Sequence, residues 1–79
     1  MTGELKNKTL EKIESTLKKK SLIVSISTHT YLNQFLETGN FSEKAMEKFL
    51  RIAFNVVDKK LASELSDIII EIIKNESGN

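Results

Sequence analysis

The stretch Ser21-Leu22-Ile23-Val24-Ser25-Ile26-Ser27 decides which fold the sequence predicts. Its residues Leu22, Val24 and Ile26 alternate with serines and Ile23, and a period of two in β-branched residues is typical of a short strand. No second convincing strand occurs in the chain, so this one is predicted to pair with the same strand of another copy. A helix that runs from Leu22 onward is the competing interpretation, which the β-branched residues and hydroxyl side chains disfavour only weakly.

Apolar residues at helical spacing lie on both sides of this stretch. A narrow apolar stripe predicts a mostly polar helix from Glu4 to Lys19. The stripe consists of Leu5, Leu10, Ile13 and Leu17. Beyond the stretch, Thr28 can cap a short helix that ends at Gly39, and Ser42 can cap a longer helix that reaches Val57. These patterns predict a mainly α-helical chain with one short strand.

The last third of the chain is also predicted to be helical. Asp58-Lys59-Lys60 interrupts the apolar pattern, which resumes from Leu61 to Ile73, so a kink, a turn or one continuous helix are all compatible with the sequence. The cluster 68–73 is apolar nearly all round, which favours burial between subunits. The predicted organisation is a basic helix or arm at 1–20, a core at 21–57, and an additional helix with a frayed tail at 58–79.

Composition and charge limit the class of protein. A chain of 79 residues without Cys or Pro is one small domain whose limited core favours self-association. No apolar run is long enough for a membrane span or a signal peptide, which predicts a cytoplasmic protein. The net charge is only +1, but residues 1–20 carry six Lys against three carboxylates. The run Lys18-Lys19-Lys20 therefore indicates an anionic partner, and a solvated helix end is the equally weighted alternative.

Residues that could support catalysis or bind a cofactor are scarce. His29 is the single histidine, so neither a zinc site nor a catalytic triad can be assembled convincingly. The carboxylates of Glu43 and Glu47, and those of Glu64, Asp67 and Glu71, are interpreted as solvated helix faces. With three glycines in total there is no phosphate-binding loop. We therefore expect no enzyme activity, no metal and no cofactor.

The order of a basic segment, one alternating strand, a short helix, a glycine turn and a helix opening Phe41-Ser42-Glu43-Lys44-Ala45-Met46 resembles the ribbon-helix-helix family of DNA-binding proteins. The resemblance covers Ser21 to about Val57. It implies a homodimer whose two strands form an antiparallel ribbon in the major groove of double-stranded DNA, as in a transcriptional regulator of a prokaryotic cell, a plasmid or a virus-infected host.

The resemblance also implies roles for individual residues. Ser21, Ile23 and Ser25 would face the bases. The phosphates would be contacted by Ser42 and Glu43 through their backbone, and by Lys18, Lys19, Lys20 and Lys44. The dimer core would contain Leu22, Val24, Ile26, Phe49, Ile69 and Ile72. Serine and isoleucine offer no bidentate contact to a base, so we expect salt-sensitive binding of modest specificity.

A second hypothesis comes from a different class of protein. The Leu5, Leu10, Ile13 and Leu17 stripe and the isoleucine-rich end could bind partner proteins in an all-helical interaction module that does not contact DNA. The C-terminal helix could also dock a further protein partner. The conformation of residues 21–27 distinguishes the two hypotheses.

Overall fold

The chain is all-helical in a computed structural model that describes residues 3–77. Four α-helices follow one another: α1 (Gly3–Lys19), α2 (Ile26–Thr38), α3 (Glu43–Phe54) and α4 (Lys59–Ser77). No β-strand occurs within residues 3–77. The predicted ribbon-helix-helix fold, with one strand paired between two copies, is therefore wrong. The last helix continues to Ser77, so the predicted frayed tail does not begin before residue 78, and residues 78–79 lie outside the described residues.

The helices form a closed ring in which each contacts the next and α4 returns to α1. An ion pair joins Lys6 to Glu37 at 2.7 Å, and a hydrogen bond joins Glu14 to His29 at 2.6 Å. Because the early residue of α1 in the first pair contacts a late residue of α2, these two helices are antiparallel. A second ion pair, from Lys12 to Glu76 at 3.0 Å, joins α1 to the end of α4.

One hydrophobic core lies inside this ring and receives side chains from all four helices. Its buried members are Leu10, Ile13, Leu17, Leu32, Phe35, Leu36, Met46, Phe49, Leu50, Val56, Ala62, Leu65, Ile69, Ile72 and Ile73. Three of them, Phe49, Ile69 and Ile72, were expected in a dimer core, but the structure buries them within a single chain. No buried side-chain nitrogen or oxygen of the described residues lacks a hydrogen-bond partner.

The segment predicted as a strand closes one helix and opens the next. Ser21 has a φ of 66°, and its backbone N–H donates to the carbonyl of Lys18 while that of Leu22 donates to the carbonyl of Leu17. These two bonds with a left-handed residue between them form a Schellman motif. Ser25 caps α2, since its Oγ accepts from the N–H of Thr28 at 3.3 Å while its own N–H donates to Thr28 Oγ1 at 2.6 Å. Only residues 22–24 lie between the two caps.

The predicted alternation of buried and exposed side chains is found over three residues, 22–24. Leu22 and Val24 pack against the core, and Ile23 between them is 83% exposed. Ile26, predicted to face the core with them, is instead 87% exposed because the helix has begun there and its position on α2 points away from the ring. A period of two here therefore describes a non-helical connection that packs on the core without pairing to another strand.

The four predicted helices are present, but α2 begins after the cap Ser25 and not at Thr28, and α3 ends at Phe54 and not at Val57. Gly39 follows α2 with a φ of 69°, the left-handed conformation that glycine adopts without steric cost. The Oγ of Ser42 accepts from the N–H of Ala45 and caps α3. Asn55, also left-handed, ends α3, so a turn at 55–58 separates α3 from α4. The three alternatives for this part of the chain are thus resolved in favour of two helices.

Candidate functional site

Several large apolar side chains are left outside the core. Ile23 and Ile26 are the most exposed, Ile52 and Tyr31 are about half exposed, and Val57 and Leu61 lie in the turn after α3 and in the first part of α4. Single exposed apolar residues are common on protein surfaces, whereas clustered ones mark binding sites. Exposed apolar residues that share a concave surface are therefore the candidates for a binding site.

Tyr31 and Ile52 lie in a groove between α2 and α3, called here the α2–α3 groove, of about 740 Å³. Its side on α2 carries Tyr31 and Thr38, and its side on α3 carries Lys44, Lys48 and Ile52. The turn at 39–42 closes one end with Asn40 and Ser42. The groove is open to solvent along its length, so it suits a macromolecular segment better than an enclosed small molecule.

Aromatic rings form the floor of the α2–α3 groove. Phe35 and Phe49 stack with centroids 4.6 Å apart and an interplanar angle of 14°. Phe41 meets the edge of Phe35 at 5.3 Å, and Phe54 meets Phe49 at 6.0 Å, so all four phenylalanines form a continuous row. Such pairs contribute free energy beyond the area that they bury, and here they hold α2 and α3 at a fixed separation. The groove is therefore formed before any partner binds.

Lys44 and Lys48 supply the charge of the groove. They stand one helical turn apart on α3, both exposed, and no carboxylate among the described residues is within ion-pair distance of either. Glu43 and Glu47 line a different depression, which α3 shares with α4. Of the charged residues of α3, Lys44 and Lys48 are the ones that line the groove.

A second concavity, called here the 21–25 cleft, adjoins the α2–α3 groove. It lies between the connection from α1 to α2 and the end of α3, and it contains Ile23, Ser25 and Phe54. Ile52 lines both concavities, which makes it the residue where they meet. An apolar surface therefore continues from Tyr31 past Ile52 to Ile23.

The residues predicted to contact bases are found together, but not on a strand. Ser21, Ile23 and Ser25 all line the 21–25 cleft. Ser21 ends α1 through its left-handed backbone, and the side chain of Ser25 caps α2. No strand within residues 3–77 presents these three residues on a ribbon, and contact between them and bases stays a prediction.

The residues predicted to contact phosphate fall into separate places. Ser42 and Lys44 lie in the α2–α3 groove, whereas Glu43 is on the α4 side of α3. Lys18 and Lys19 lie at the end of α1, in a shallow depression that also contains Glu11 and Glu14. Lys20 follows them and is exposed.

Sequence reasoning missed Tyr31, Lys48 and Ile52 as surface residues. The signal for Ile52 was present, because 3.6 residues per turn place it about 120° from Met46, outside the buried face of α3. Nothing in the sequence signalled that α2 and α3 would leave a groove on that side.

The stripe of α1 that was expected to bind partners is internal instead, since Leu10, Ile13 and Leu17 are buried in the core. The side chain of Leu5 lies outside the described part.

Catalytic and metal-binding groups are not assembled in the described residues. They contain no group of three His, Asp or Glu side chains that could hold a metal ion. The exposed His29 bonds through Nδ1 to Glu14 across the α1–α2 contact. A hydrogen bond from Lys6 and its positive charge hold the pKa of Glu37 below its ordinary value. None of the helices in residues 3–77 is long and apolar enough to cross a membrane.

Comparisons with protein families, with curated proteins and with solved structures give no match to this chain. No function is therefore carried over from a relative.

Proposed function

We propose that the chain is a small helical protein-interaction module that receives an amphipathic helix of a partner protein in the α2–α3 groove. The observation that carries the proposal is the position of Ile52, a half-exposed isoleucine where two apolar concavities meet above a floor of stacked phenylalanines. This is the second hypothesis from the sequence, with the binding surface moved from α1 and the isoleucine-rich end to α2 and α3.

The chemistry of the groove favours a helix over an extended peptide. An extended peptide that binds by strand addition needs an exposed sheet edge, and residues 3–77 contain no strand. A helix satisfies its own backbone and can lay an apolar stripe between two helices. The lining from Tyr31 to Thr38 on α2 corresponds to about 10 Å along the helix axis, which is two turns of a bound helix.

The distribution of charge favours a protein partner over DNA. A DNA-binding surface gathers many basic side chains to neutralise successive phosphates. Here Lys18 and Lys19 have Glu11 and Glu14 beside them, and they are outside the groove that contains Lys44 and Lys48. Apolar and aromatic side chains in a preformed groove are what a partner helix requires.

The experiment is a selection of displayed amphipathic helices of about 16 residues, or about 24 Å, on the intact chain. Selected peptides are then measured on Ile52→Glu and on the control Val57→Glu, which changes another exposed apolar residue that lines neither concavity. We expect affinity to fall about 10-fold or more on Ile52→Glu, because a buried carboxylate would face the apolar stripe of the peptide. Val57→Glu should bind as the original chain does.

Two results would overturn the proposal. One is a selection that yields no peptide whose binding depends on Ile52. The other is binding of mixed-sequence duplex DNA at about 0.15 M salt that Ile52→Glu leaves unchanged and that replacing Lys18, Lys19 and Lys20 by Gln abolishes. Circular dichroism of both Glu variants checks that they remain helical.

A further inference from the structure

We infer that the partner helix is acidic along one flank only: carboxylates one turn apart face Lys44 and Lys48, and uncharged polar residues face α2. This inference rests on the proposed function and adds the chemistry by which the groove would recognise its partner.

The two sides of the α2–α3 groove differ in charge. On α3, Lys44 and Lys48 stand at the rim. On α2, the lining residues outside the floor are Tyr31, Gln34 and Thr38, which carry no charge. The one carboxylate of α2, that of Glu37, is engaged by Lys6 of α1. A helix in the groove would therefore meet positive charge on one flank and neutral polar groups on the other.

The free state of the chain leaves these two lysines uncompensated. Like charges at i and i+4 destabilise a helix by a small amount, and a carboxylate within ion-pair distance would reverse that effect. Glu43 and Glu47 do not provide one, because neither forms an ion pair with these lysines and both line the depression shared with α4. A partner carboxylate is the group that would neutralise the rim.

The spacing of the lysines sets the spacing of the carboxylates. Residues four apart on a helix lie about 6 Å apart along its axis. A second helix laid beside α3 presents side chains at the same interval when they are three or four residues apart. The recognition element is thus an apolar stripe flanked on one side by Glu or Asp at i and i+4. Tyr31 on the neutral side offers a ring face and a hydroxyl to polar or apolar residues of that flank.

The test uses three synthetic peptides with one apolar stripe taken from the selection. The first carries Glu at i and i+4 on the flank that meets α3, the second carries Gln there, and the third carries Glu on the opposite flank. Two exposed ion pairs should make the first bind about 2- to 30-fold more tightly than the other two at low salt. The advantage should shrink at about 1 M salt, where charges are screened within about 3 Å.

Variants of the chain assign the effect to the two lysines. Replacing Lys44 and Lys48 by Gln should abolish the preference for the first peptide. Replacing Lys18 and Lys19 by Gln removes the same net charge outside the groove and should preserve it.

The possible failures point to different claims. Equal affinity of the three peptides, each still dependent on Ile52, would overturn the acidic flank and leave the interaction module standing. Loss of the preference in the Lys18 and Lys19 variant would assign it to net charge and also overturn the inference. If none of the peptides depends on Ile52, the proposed function itself fails.

Discussion

The stacked pair of Phe35 and Phe49 provides a quantitative test of the groove. Both rings are more than nine-tenths buried, with centroids 4.6 Å apart. Replacing either by Leu keeps an apolar side chain in place and should lower the free energy of unfolding by about 1.5 kcal/mol or less. The stacked pair itself should appear as a coupling of about 0.5–1.5 kcal/mol in the double variant, since the second substitution removes an interaction that the first has already lost.

The measurement is urea unfolding followed by circular dichroism for the two single variants and the double variant. A domain of this length has a free energy of unfolding of about 4–12 kcal/mol, so each variant is expected to remain folded. Each kcal/mol should move the midpoint of thermal unfolding by about 4–8 °C. Phe35→Leu combined with Ile69→Val is the control, because α2 and α4 are not neighbours in the ring. Additive effects for the Phe pair, to within about 0.3 kcal/mol, would refute the stacked floor.

Three further predictions concern the ends of α2 and its pairing with α1. Ser25→Ala should lower the free energy of unfolding by about 1 kcal/mol through loss of the cap, measured in urea against Ser27→Ala; equal effects would contradict the cap. Gly39→Ala should cost about 1 kcal/mol from backbone strain alone, since no atom lies within 4 Å of the added Cβ, and a crystal structure of the variant should show no displaced neighbour. The lowered pKa of Glu37 stabilises the fold above the ordinary value of 4.5, and this contribution is lost as pH falls through the lowered value. Urea unfolding of Glu37→Gln at pH 7 and at pH 2 should show a difference from the original chain only at pH 7.

Local signals explain why the helices could be predicted. Gly39 and Ser42 act within a few residues of themselves, so each gives the same answer in the sequence and in the structure. The prediction of a strand at 21–27 was wrong because residues of this segment also act locally, at helix ends. Serines at 21 and 25 were counted as the polar half of an alternating pattern, but each is used to end or begin a helix. A serine in the left-handed conformation is uncommon, so Ser21 gave no warning.

The candidate site depends on tertiary structure that no local pattern contains. The sequence shows that Lys44 and Lys48 share a face of α3, but only the packing of α2 against α3 places that face at a groove. Ile69 and Ile72, expected between subunits, are buried within the single chain for a related reason. Side chains from all four helices meet inside the ring, and the sequence pattern of one helix does not show which other helices cover it.

The division of α3 into faces separates stability from binding. Met46 and Leu50 are fully buried and hold α3 in the core. About 120° away from Met46, Ile52 reaches the surface, where its truncation removes few core contacts. Glu43 and Glu47 occupy the α4 side, so charges of both signs share one helix without neutralising each other at the groove. Stability requires only that the first face be apolar. Lys44, Lys48 and Ile52 do not belong to the core. In the proposed complex they would be the residues of α3 that contact the partner helix.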